Sequence, residues 1–596
     1  MFNRFAIVKE WSHTVSAEDE CIARIAEAAK VAGYQCDIVD QEYRLIDNRN
    51  IVADENTHDF IIHIHFCSSK INNLFSFVTL WNPIDFFHLW SYRQYTDNLM
   101  SHDDFLSCGS KGSLNHAQKL IEIDQFHLNP VLSLFHTLDG PVYQPERRTD
   151  KRLHYCGMNW ERLGSKRGRH HELLKALDSN DLIDIYGPVL FQGVRPWKGY
   201  SCYRGEVPFD GKSLVKTIHQ SGVALVLSSN SHIEAEMMSN RLFEAMAAGA
   251  NIISDENPFV KKLLGDNAFY LVPGEDKFKQ VKSFLNWINQ HPDEALEKAK
   301  FCQSIFEKQF KLSKLIKIIY ENFESRKNEL LALRESKEEK TLLFLPEIDN
   351  SKISEWIDNI KYTIKSNLNP SDKAFIILDR DQKNKLIDVF VENVKGNKNI
   401  KILRTTVKHI DGARYYGPVV HDLLPHVTTR YFSFILPNER LLKNHFDCCI
   451  HEMKRLGTNI ACSDYVLKTQ EAVGTTYRSY QTLRSNPLLL VSGAFVFDSQ
   501  VLTSYHRLLL GQMDYCLALA LACDSQEIAE SMRFSCRLEY EFVKNQRDID
   551  LIKDGRLFDR YGLLQFPLQP PPKLSRVKKL KYNIKRAINK FKNKLF

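Results

Sequence analysis

Apolar residues alternate between strand-like runs and helix-spaced stretches over the first 145 residues. The opening run Arg4–Val8 predicts a strand, and the next stretch predicts a helix from about Ser16 to Gly33, where glycine ends it. Gln35–Val39 and Asp59–Phe66 predict two further strands. This β-α-β order predicts a parallel sheet covered by helices.

The same pattern recurs in a second unit that begins with the strand Arg152–Cys156. Residues 294–340 are helical in pattern and increasingly charged, which indicates a solvated connection to a third unit. The remaining strands expected in the second unit are Leu182–Tyr186, Val223–Leu227, Asn251–Ser254 and Phe269–Val272.

A third unit begins with the apolar run Thr341–Leu345 and ends before the prolines of 567–572. Its expected elements are helices at 351–367, Leu441–Leu456 and near 513–523, and strands at Ala374–Leu378, Ile400–Leu403, Tyr431–Leu436 and Leu488–Phe497. The patterns therefore divide the chain into 1–148, 149–325, a helical linker 326–340, a third domain 341–566 and a tail 573–596.

Composition is that of a soluble globular protein, with 43% hydrophobic and 26% charged residues. No apolar run is long enough to cross a bilayer, and Met1–Trp11 lacks the apolar core of a signal peptide. The 13 cysteines are odd in number and none has CxxC spacing, which argues against a zinc ribbon or a secreted disulfide framework. A reducing cytoplasm is the expected compartment.

The tail carries the whole positive excess of the chain. Residues 573–596 contain ten Lys or Arg and no acid, so the net charge of +7 leaves 7 − 10 = −3 for residues 1–572. Their apolar residues recur at steps of three and four, which predicts a basic amphipathic helix on an anionic membrane surface. Nucleic-acid binding is the alternative, but the tail has only three aromatic residues, Tyr582, Phe591 and Phe596. We therefore expect peripheral attachment to the inner face of the cytoplasmic membrane.

The segment 228–254 carries the clearest chemistry. A buried strand ends at Ser228, a polar loop follows, and a helix begins near Asn240 and stops at Gly249. Glu236 and Glu244 are eight residues apart, and Arg241 shares a helix face with Glu244. Free N–H groups and an arginine suit a diphosphate, and a carboxylate accepts sugar or ribose hydroxyls. In a parallel sheet such a loop lies at the ligand-binding edge.

This segment resembles the Glu-x7-Glu region of GT-B glycosyltransferases of the group 1 or family 4-like type. The resemblance implies two Rossmann-like domains, with the nucleotide-sugar donor bound by 149–325 and no metal cofactor for this module. It implies a catalytic role for Glu236 and donor contacts from Asn240, Arg241 and Glu244. The loop after Cys156 resembles the family's phosphate-binding loop, which implies donor contacts from Arg162 and Lys166, with Arg167 as the alternate.

The first unit is then expected to hold the acceptor. Glu10 and His13 follow the first strand and are candidate catalytic groups in a loop at the cleft. His63 and His65 alternate on one strand and are predicted to face the same side. His65 is a candidate general base or acceptor contact, while a hydrogen-bonded core histidine is the alternative for each of the two.

The third unit resembles a GT-A glycosyltransferase of the family 2-like type. The resemblance implies nucleotide contacts from Asp379 and Asp381 and a catalytic base at Asp514. Where that family has an Asp-x-Asp metal motif, this chain has Asn438 and Glu439, which offer Mg²⁺ or Mn²⁺ a single charge. The unit is therefore either a catalytic domain with an altered metal site or a binding or structural remnant.

The expected protein is a glycosyltransferase, with one or two activities, that extends a cell-surface glycan of the capsule, O-antigen or lipopolysaccharide type. Its expected partners are a nucleotide-sugar donor, a glycan or lipid-linked glycan acceptor and an anionic membrane, but no nucleic acid. A non-catalytic glycan-binding scaffold of decayed transferase domains is one alternative, and a sugar-nucleotide epimerase on the GT-B fold is another.

Overall fold

The computed structural model describes most of the chain up to residue 468 and three short stretches beyond it. The described ranges are 2–11, 17–85, 92–120, 132–165, 167–334, 337–347, 349–406, 408–410, 413–415, 419, 423–468, 475–477, 495–501 and 529–539. His13, Lys166, Asp514, the expected helix near 513–523 and the tail 573–596 lie outside them. The roles expected of these residues therefore stay predictions.

The first unit is a five-stranded parallel sheet with the order β2-β1-β3-β4-β5. Its helix α1 begins and ends within one residue of the sequence prediction. The elements are β1 Arg4–Val8, α1 Ala17–Ala32, β2 Gln35–Val39, β3 Ile61–His63, β4 Ser76–Thr79, α2 Tyr92–Ser101, β5 Asp104–Leu106 and α3 Lys111–Leu120. The strand β3 is shorter than expected, so only His63 of the two histidines lies on it.

The second unit is a six-stranded parallel sheet with the order β11-β10-β9-β6-β7-β8. Every strand predicted here is present, and the short β8 is an addition. The elements are β6 Arg152–Cys156, α4 His171–Ser179, β7 Ile183–Tyr186, β8 Tyr203–Gly205, α5 Ser213–Ser221, β9 Gly222–Val226, α6 Asn230–Glu234, α7 Asn240–Ala247, β10 Asn251–Asp255, α8 Pro258–Leu264, β11 Phe269–Leu271, α9 Lys277–Gln290 and α10 Pro292–Ile305.

The next long helix, α11 Leu312–Arg334, returns to the first unit. Its residues Ile319 and Phe323 are buried in the core of that unit, and the guanidinium of Arg326 donates to Asp104 at the start of β5, with Nε 2.7 Å from Oδ2. The prediction of a solvated linker from 326 was wrong, because the charged side chains of this segment surround an apolar stripe that packs on the first sheet.

Two parallel α/β units facing each other, with the last helix crossing back, confirm the expected double Rossmann-like fold class. The carboxyl ends of β1 and β3 in the first unit, and of β6, β7 and β9 in the second, are where ligands bind in sheets of this kind. Elements from both units meet there, since Glu20 and Arg24 of α1 form hydrogen bonds with residues of the second unit.

The third unit has a mixed sheet with the order β14-β13-β12-β17-β21-β19-β22-β18, whose first four strands are parallel. Its hydrophobic core consists of apolar side chains that lie on both faces of this sheet. The elements are β12 Lys340–Phe344, α12 Ile353–Asn367, β13 Lys373–Asp379, α13 Lys385–Val394, β14 Ile400–Thr405, β15 Lys408–Ile410, β16 Ala413–Tyr415, β17 Tyr431–Ile435, β18 Glu439–Leu441, α14 His445–Leu456, β19 Ile460–Lys468, β20 Thr475–Tyr477, β21 Phe495–Asp498 and β22 Ala529–Glu539.

Asn73 joins the third unit to the first. Its backbone N–H donates to the Tyr362 hydroxyl at 3.1 Å, and its Nδ2 donates to Ser366 Oγ at 2.6 Å. Its Oδ1 accepts from the Lys443 N–H at 2.7 Å. The third unit is therefore docked on the first through the loop after β3. Within the described ranges, no helix combines the length and hydrophobicity needed to span a membrane.

Gly249, which ends α7, allows a close approach of two backbone segments. Its φ is 63°, and a Cβ there would lie 2.6 Å from the Tyr143 carbonyl oxygen and 2.8 Å from the Pro145 nitrogen. We expect Gly249→Ala to lower the free energy of unfolding of the second unit by about 2–4 kcal/mol, measured by urea denaturation.

Gly274→Ala is the matched control for that variant. Gly274 also has a positive φ, 87°, but no atom lies within 4 Å of the position that a Cβ would take there. The control isolates the conformational cost alone, about 1 kcal/mol. Equal losses for the two variants would contradict the close approach as the cause.

Candidate functional site

A cavity of about 600 Å³ opens at the carboxyl edge of the second sheet, where the first unit covers it. Its lining combines apolar walls, three carboxylates and one arginine. The lining residues are Ala17, Glu20, Cys156, Gly157, Met158, Gly187, Pro188, Leu190, Phe191, Glu206, Val207, Pro208, Phe209, Leu214, Asn240, Arg241 and Glu244. Three of the sequence-predicted residues, Asn240, Arg241 and Glu244, thus meet in one cavity.

Arg241 is held across the ends of two strands. Its Nε donates to the Cys156 carbonyl at 2.8 Å, and its Nη1 donates to the Leu227 carbonyl at 3.2 Å. Its guanidinium also lies 5.7 Å from the ring centroid of Tyr155. A Cβ on Gly157 would lie 3.3 Å from Nη2, so the absence of a side chain there keeps this end of the guanidinium open to the cavity. The protein itself therefore holds the Arg241 guanidinium in one orientation.

Further cations surround Arg241. Burial, together with the charges of Arg169, Arg241 and Lys277, lowers the pKa of His170 to about 4. Burial likewise lowers the pKa of His232 to about 4, with Arg241 and Arg169 adding to the effect. Cations from three separate elements therefore act on one region, which creates a positive field suited to a diphosphate.

Apolar side chains form the opposite wall of the cavity. Leu190 is 60% exposed and Phe209 is 41% exposed, although both are large hydrophobic residues. They belong to two loops that are tied together, since the Val189 N–H donates to Glu206 Oε1 at 2.6 Å. Exposed apolar walls at the mouth of a cavity with a few polar groups are typical of small-molecule sites, and a planar base fits between such walls.

Glu236 does not line this cavity. It is exposed, with a φ of 52°, in the turn between α6 and α7, whereas Glu244 is buried. Glu236 closes that turn through its N–H, which donates to the Ile233 carbonyl at 3.1 Å. The spacing of the two glutamates in sequence therefore does not bring their carboxylates together. Arg162 lies half-buried in the loop after β6 and Arg167 is exposed; neither lines the cavity.

Glu10 lies at the carboxyl end of β1, in a closed polar network. Its carboxylate accepts from Ser68 Oγ at 2.6 Å and from Gln41 Nε2 at 2.8 Å, and its side chain has no exposed surface. Burial raises the pKa of the Glu10 carboxyl. His63 joins the network through Ser68, at 3.0 Å from its Nδ1, and through the Tyr43 hydroxyl. His63 is thus a hydrogen-bonded core histidine. Glu10 has a structural role in the same network, because its carboxylate accepts hydrogen bonds from Ser68 and Gln41.

His65 differs from His63 because it lies two residues beyond the end of β3, in a bend. Both histidines lie near Glu10, since His63 Nδ1 is 3.7 Å from Glu10 Oε1 and the Glu10 charge acts on His65. The His65 ring lies 5.0 Å from that of Trp11, which is 42% exposed, and its Nδ1 is 3.4 Å from Asn82 Nδ2. Burial lowers the pKa of His65 to about 4, so its imidazole is neutral near pH 7.

His65 also lies near the second unit. Burial lowers the pKa of His136, and the neighbouring His232 and His65 add to that shift. The two units are joined nearby, since Ser231 Oγ of α6 donates to Asp85 Oδ2 at 2.8 Å. A neutral imidazole of the first unit thus lies beside an exposed tryptophan, near the point where the two units are joined.

The third unit places its expected site residues at strand ends. Asp379 ends β13 and its Oδ1 accepts from the Asp381 N–H at 2.9 Å, while Asp381 is exposed. Glu439 is buried and its Oε2 accepts from the Leu436 N–H at 2.8 Å, so this carboxylate holds the turn that also carries half-buried Asn438. No group of three His, Cys, Asp or Glu suited to a metal occurs within the described part of the chain.

Sequence reasoning missed Glu20, Arg24, Glu206, Arg169, Lys277 and His232. Glu20 and Arg24 are spaced as an i,i+4 ion pair, which the sequence does contain. Nothing in that spacing shows that the pair is buried against another unit. Arg169 and Lys277 are distant from Arg241 in sequence, so only the folded chain reveals that their charges act on the same region.

Residues 166–317 match the model of a family described as "Glycosyl transferase-like". The second unit is therefore similar to the domains of that family. The match covers the strands β7, β9 and β10 and the helix α7, and so most of the cavity lining. No curated protein matched the chain significantly.

Parts of the chain are similar to solved structures. TarS 1–349 of S. aureus, solved in complex with UDP-GlcNAc, is 10% identical with a TM-score of 0.29, over 37% of this chain and 66% of that chain. T4 phage BGT, solved in complex with UDP and Mn²⁺, is 14% identical with a TM-score of 0.33, over 54% of this chain and 99% of that one. The chain thus spans just under two thirds of the TarS chain that it matches.

Proposed function

We propose that the protein is a glycosyltransferase that moves a sugar from a nucleotide-sugar donor, held in the cavity of the second unit, to a growing cell-surface glycan bound by the first unit. The observation that supports this most directly is the cavity itself, where a fixed arginine, a buried carboxylate and apolar walls lie between two units. The family match falls on the same residues.

Each part of a nucleotide-sugar has a complementary wall. In this proposal the base lies between the loops that carry Leu190 and Phe209. The hydroxyl groups of the ribose or of the donor sugar contact Glu244. The diphosphate is placed at Arg241 and the first N–H groups of α7, within the positive field from Arg169 and Lys277. As the bond to the sugar breaks, negative charge grows on the diphosphate, and these groups stabilise it.

The acceptor is placed on the first unit, beside Trp11 and His65. An exposed tryptophan offers an apolar face to a sugar ring. The neutral His65 imidazole is suited to form a hydrogen bond with a hydroxyl of the acceptor, since its lowered pKa makes it a weak base. Glu10 acts in this proposal only through the network that supports the floor of the site.

The third unit is proposed as a second, GT-A-like transferase module. Its four parallel strands β14-β13-β12-β17 continue into antiparallel ones, and Asp379 stands at the carboxyl end of β13 where a nucleotide would bind. Asn438 and Glu439 are the positions proposed to meet a divalent ion. A scaffold role for this unit is the alternative, supported by the engagement of Glu439 in its turn.

A donor screen tests the proposal. The full chain is incubated with UDP-, GDP-, ADP- and CMP-linked sugars, and released nucleotide is measured with and without EDTA. We expect release from at least one donor, and we expect most of it to survive EDTA because Arg241 supplies the positive charge at the diphosphate.

The Glu244→Gln variant separates the two modules in the same assay. Transfer that remains in this variant and disappears in EDTA belongs to the third unit. Release of no nucleotide from any donor would favour the non-catalytic scaffold, and conversion of the donor without transfer or hydrolysis would favour the epimerase.

A further inference from the structure

Arg24 of the first unit reaches the candidate donor site of the second. Its Nη1 lies 2.8 Å from Oε1 of Glu244, which is 220 residues away in the chain. Its Nη2 lies 2.6 Å from Oε1 of Glu20, one turn earlier on α1. The side chains of Arg24 and Glu244 are only 2% and 1% exposed, so the ion pair is shielded from solvent on both sides.

The contact determines which oxygen Glu244 offers to a ligand. Its Oε1 accepts both from Arg24 Nη1 and from Asn240 Nδ2, the latter at 3.0 Å. Within the described residues, no hydrogen bond to its Oε2 occurs, and Glu244 lines the cavity. The carboxylate is therefore fixed at one oxygen by both units, which leaves the other as the acceptor for a hydroxyl group.

Glu20 ties the same arginine to the wall of the cavity. Its Oε2 accepts from the Gly211 N–H at 2.8 Å, and Gly211 follows the loop that carries Pro208 and Phe209. Because Glu20 and Arg24 are one helical turn apart, the first unit brings a preassembled pair to the second. Hydrogen bonds across the two units thus connect Arg24 and Glu20 to Glu244 and to the apolar loop.

A buried carboxylate without its partner is costly, whereas the same group paired and hydrogen-bonded is tolerated. In an open cleft, Glu244 would be hydrated and free to rotate. In the closed cleft, its orientation depends on a cation that the first unit alone supplies. The donor site is thus complete only when α1 is docked.

We propose that Arg24 is a positioning residue that orients Glu244 and couples donor binding to closure of the two units. The inference rests on the proposed function of the cavity as the donor site. It adds that the unit expected to bind the acceptor also determines the affinity for the donor. Arg24 touches no substrate atom in this proposal and acts only through Glu244 and Glu20.

The test is a titration of the full chain with UDP, GDP and ADP by calorimetry, followed by comparison of variants with the nucleotide that binds most tightly. Arg24→Met is expected to weaken binding at least tenfold, and Arg24→Lys is expected to recover most of the loss because it restores the cation. The double variant Arg24→Met/Glu244→Gln is expected to bind no more weakly than the weaker single variant, because the two residues act as one unit.

Arg326→Met is the matched control. Arg326 is also a buried arginine, paired with Asp104, but it lies in the core of the first unit away from the cavity. This variant is expected to melt at a lower temperature and to bind the nucleotide as the wild type does. If Arg24→Met does the same, or if the losses in the double variant are additive, Arg24 is only a structural residue and the inference is overturned.

The outcomes also separate this inference from the proposed function. Wild-type protein that binds none of the nucleotides would overturn the donor site and this inference with it. Wild-type binding that Arg24→Met and Arg24→Lys leave unchanged would overturn the coupling alone. Should Arg24→Met fail to fold, Arg24→Lys and Glu20→Gln decide the question, because the coupling predicts a measurable loss of affinity in both.

Discussion

Glu244→Gln is expected to lower the rate of glycosyl transfer about 10- to 150-fold at donor concentrations below KM, because a hydrogen bond from a ligand hydroxyl to a charged acceptor contributes about 1.5–3 kcal/mol. Glutamine keeps the size of the side chain, so the cavity keeps its shape. The measurement is kcat/KM for the donor found in the screen, together with a melting curve to show that the variant folds.

Glu236→Gln is the matched control, since both residues are glutamates of the same predicted pair and only Glu244 lines the cavity. We expect kcat/KM to change by less than about twofold for this exposed residue. A loss at Glu236 equal to that at Glu244 would show that the closed site includes the turn before α7, and it would restore the role that the sequence pattern assigned to Glu236.

Arg241→Met is expected to reduce kcat about 10²- to 10³-fold, the usual effect of removing one preorganised group that stabilises charge in the transition state. The guanidinium is held by the carbonyls of Cys156 and Leu227, so the protein has already fixed it before the donor binds. Arg241→Lys keeps the charge but loses the fork, and we expect it to recover only part of the activity.

Arg162→Met serves as the comparison for Arg241→Met, because Arg162 lies in the neighbouring loop but outside the cavity lining. We expect it to affect KM more than kcat, through the field at the phosphates. Equal losses of kcat at the two positions would place the diphosphate nearer the loop after β6 than the bonds of Arg241 indicate.

Local patterns in the sequence predicted the elements well where the buried positions recur with the period of a strand or of a helix. The run from Arg4 to Val39 predicted β1, α1 and β2 almost to the residue, because apolar positions recur with the period of each element. The helix over 312–334 was misread as a linker, because its many charges hide the apolar stripe that packs on the first sheet. In the third unit, β18 pairs with the distant strand β22, and no local pattern announces such a pairing.

Only the part of the candidate site that lies on one continuous segment of the chain could be predicted from the sequence. Asn240, Arg241 and Glu244 lie on a single short helix, so their spacing alone brings them together. Glu236 has the expected spacing, but it lies in the turn before α7 with a positive φ. Its side chain is exposed and does not line the cavity. Arg24 and Glu244 meet across 220 residues, and that contact depends on how two separate sheets are docked.

Hydrogen–deuterium exchange of the full chain, with and without the tightest-binding nucleoside diphosphate, shows where the donor binds without needing an acceptor, and it reports on every unit at once. We predict slower exchange at 156–158, 187–191, 206–211 and 240–244, the segments that line the cavity, and at the start of α1 that closes over it. Protection confined to the third unit, around Asp379 or Glu439, would contradict the assignment of the donor to the second unit.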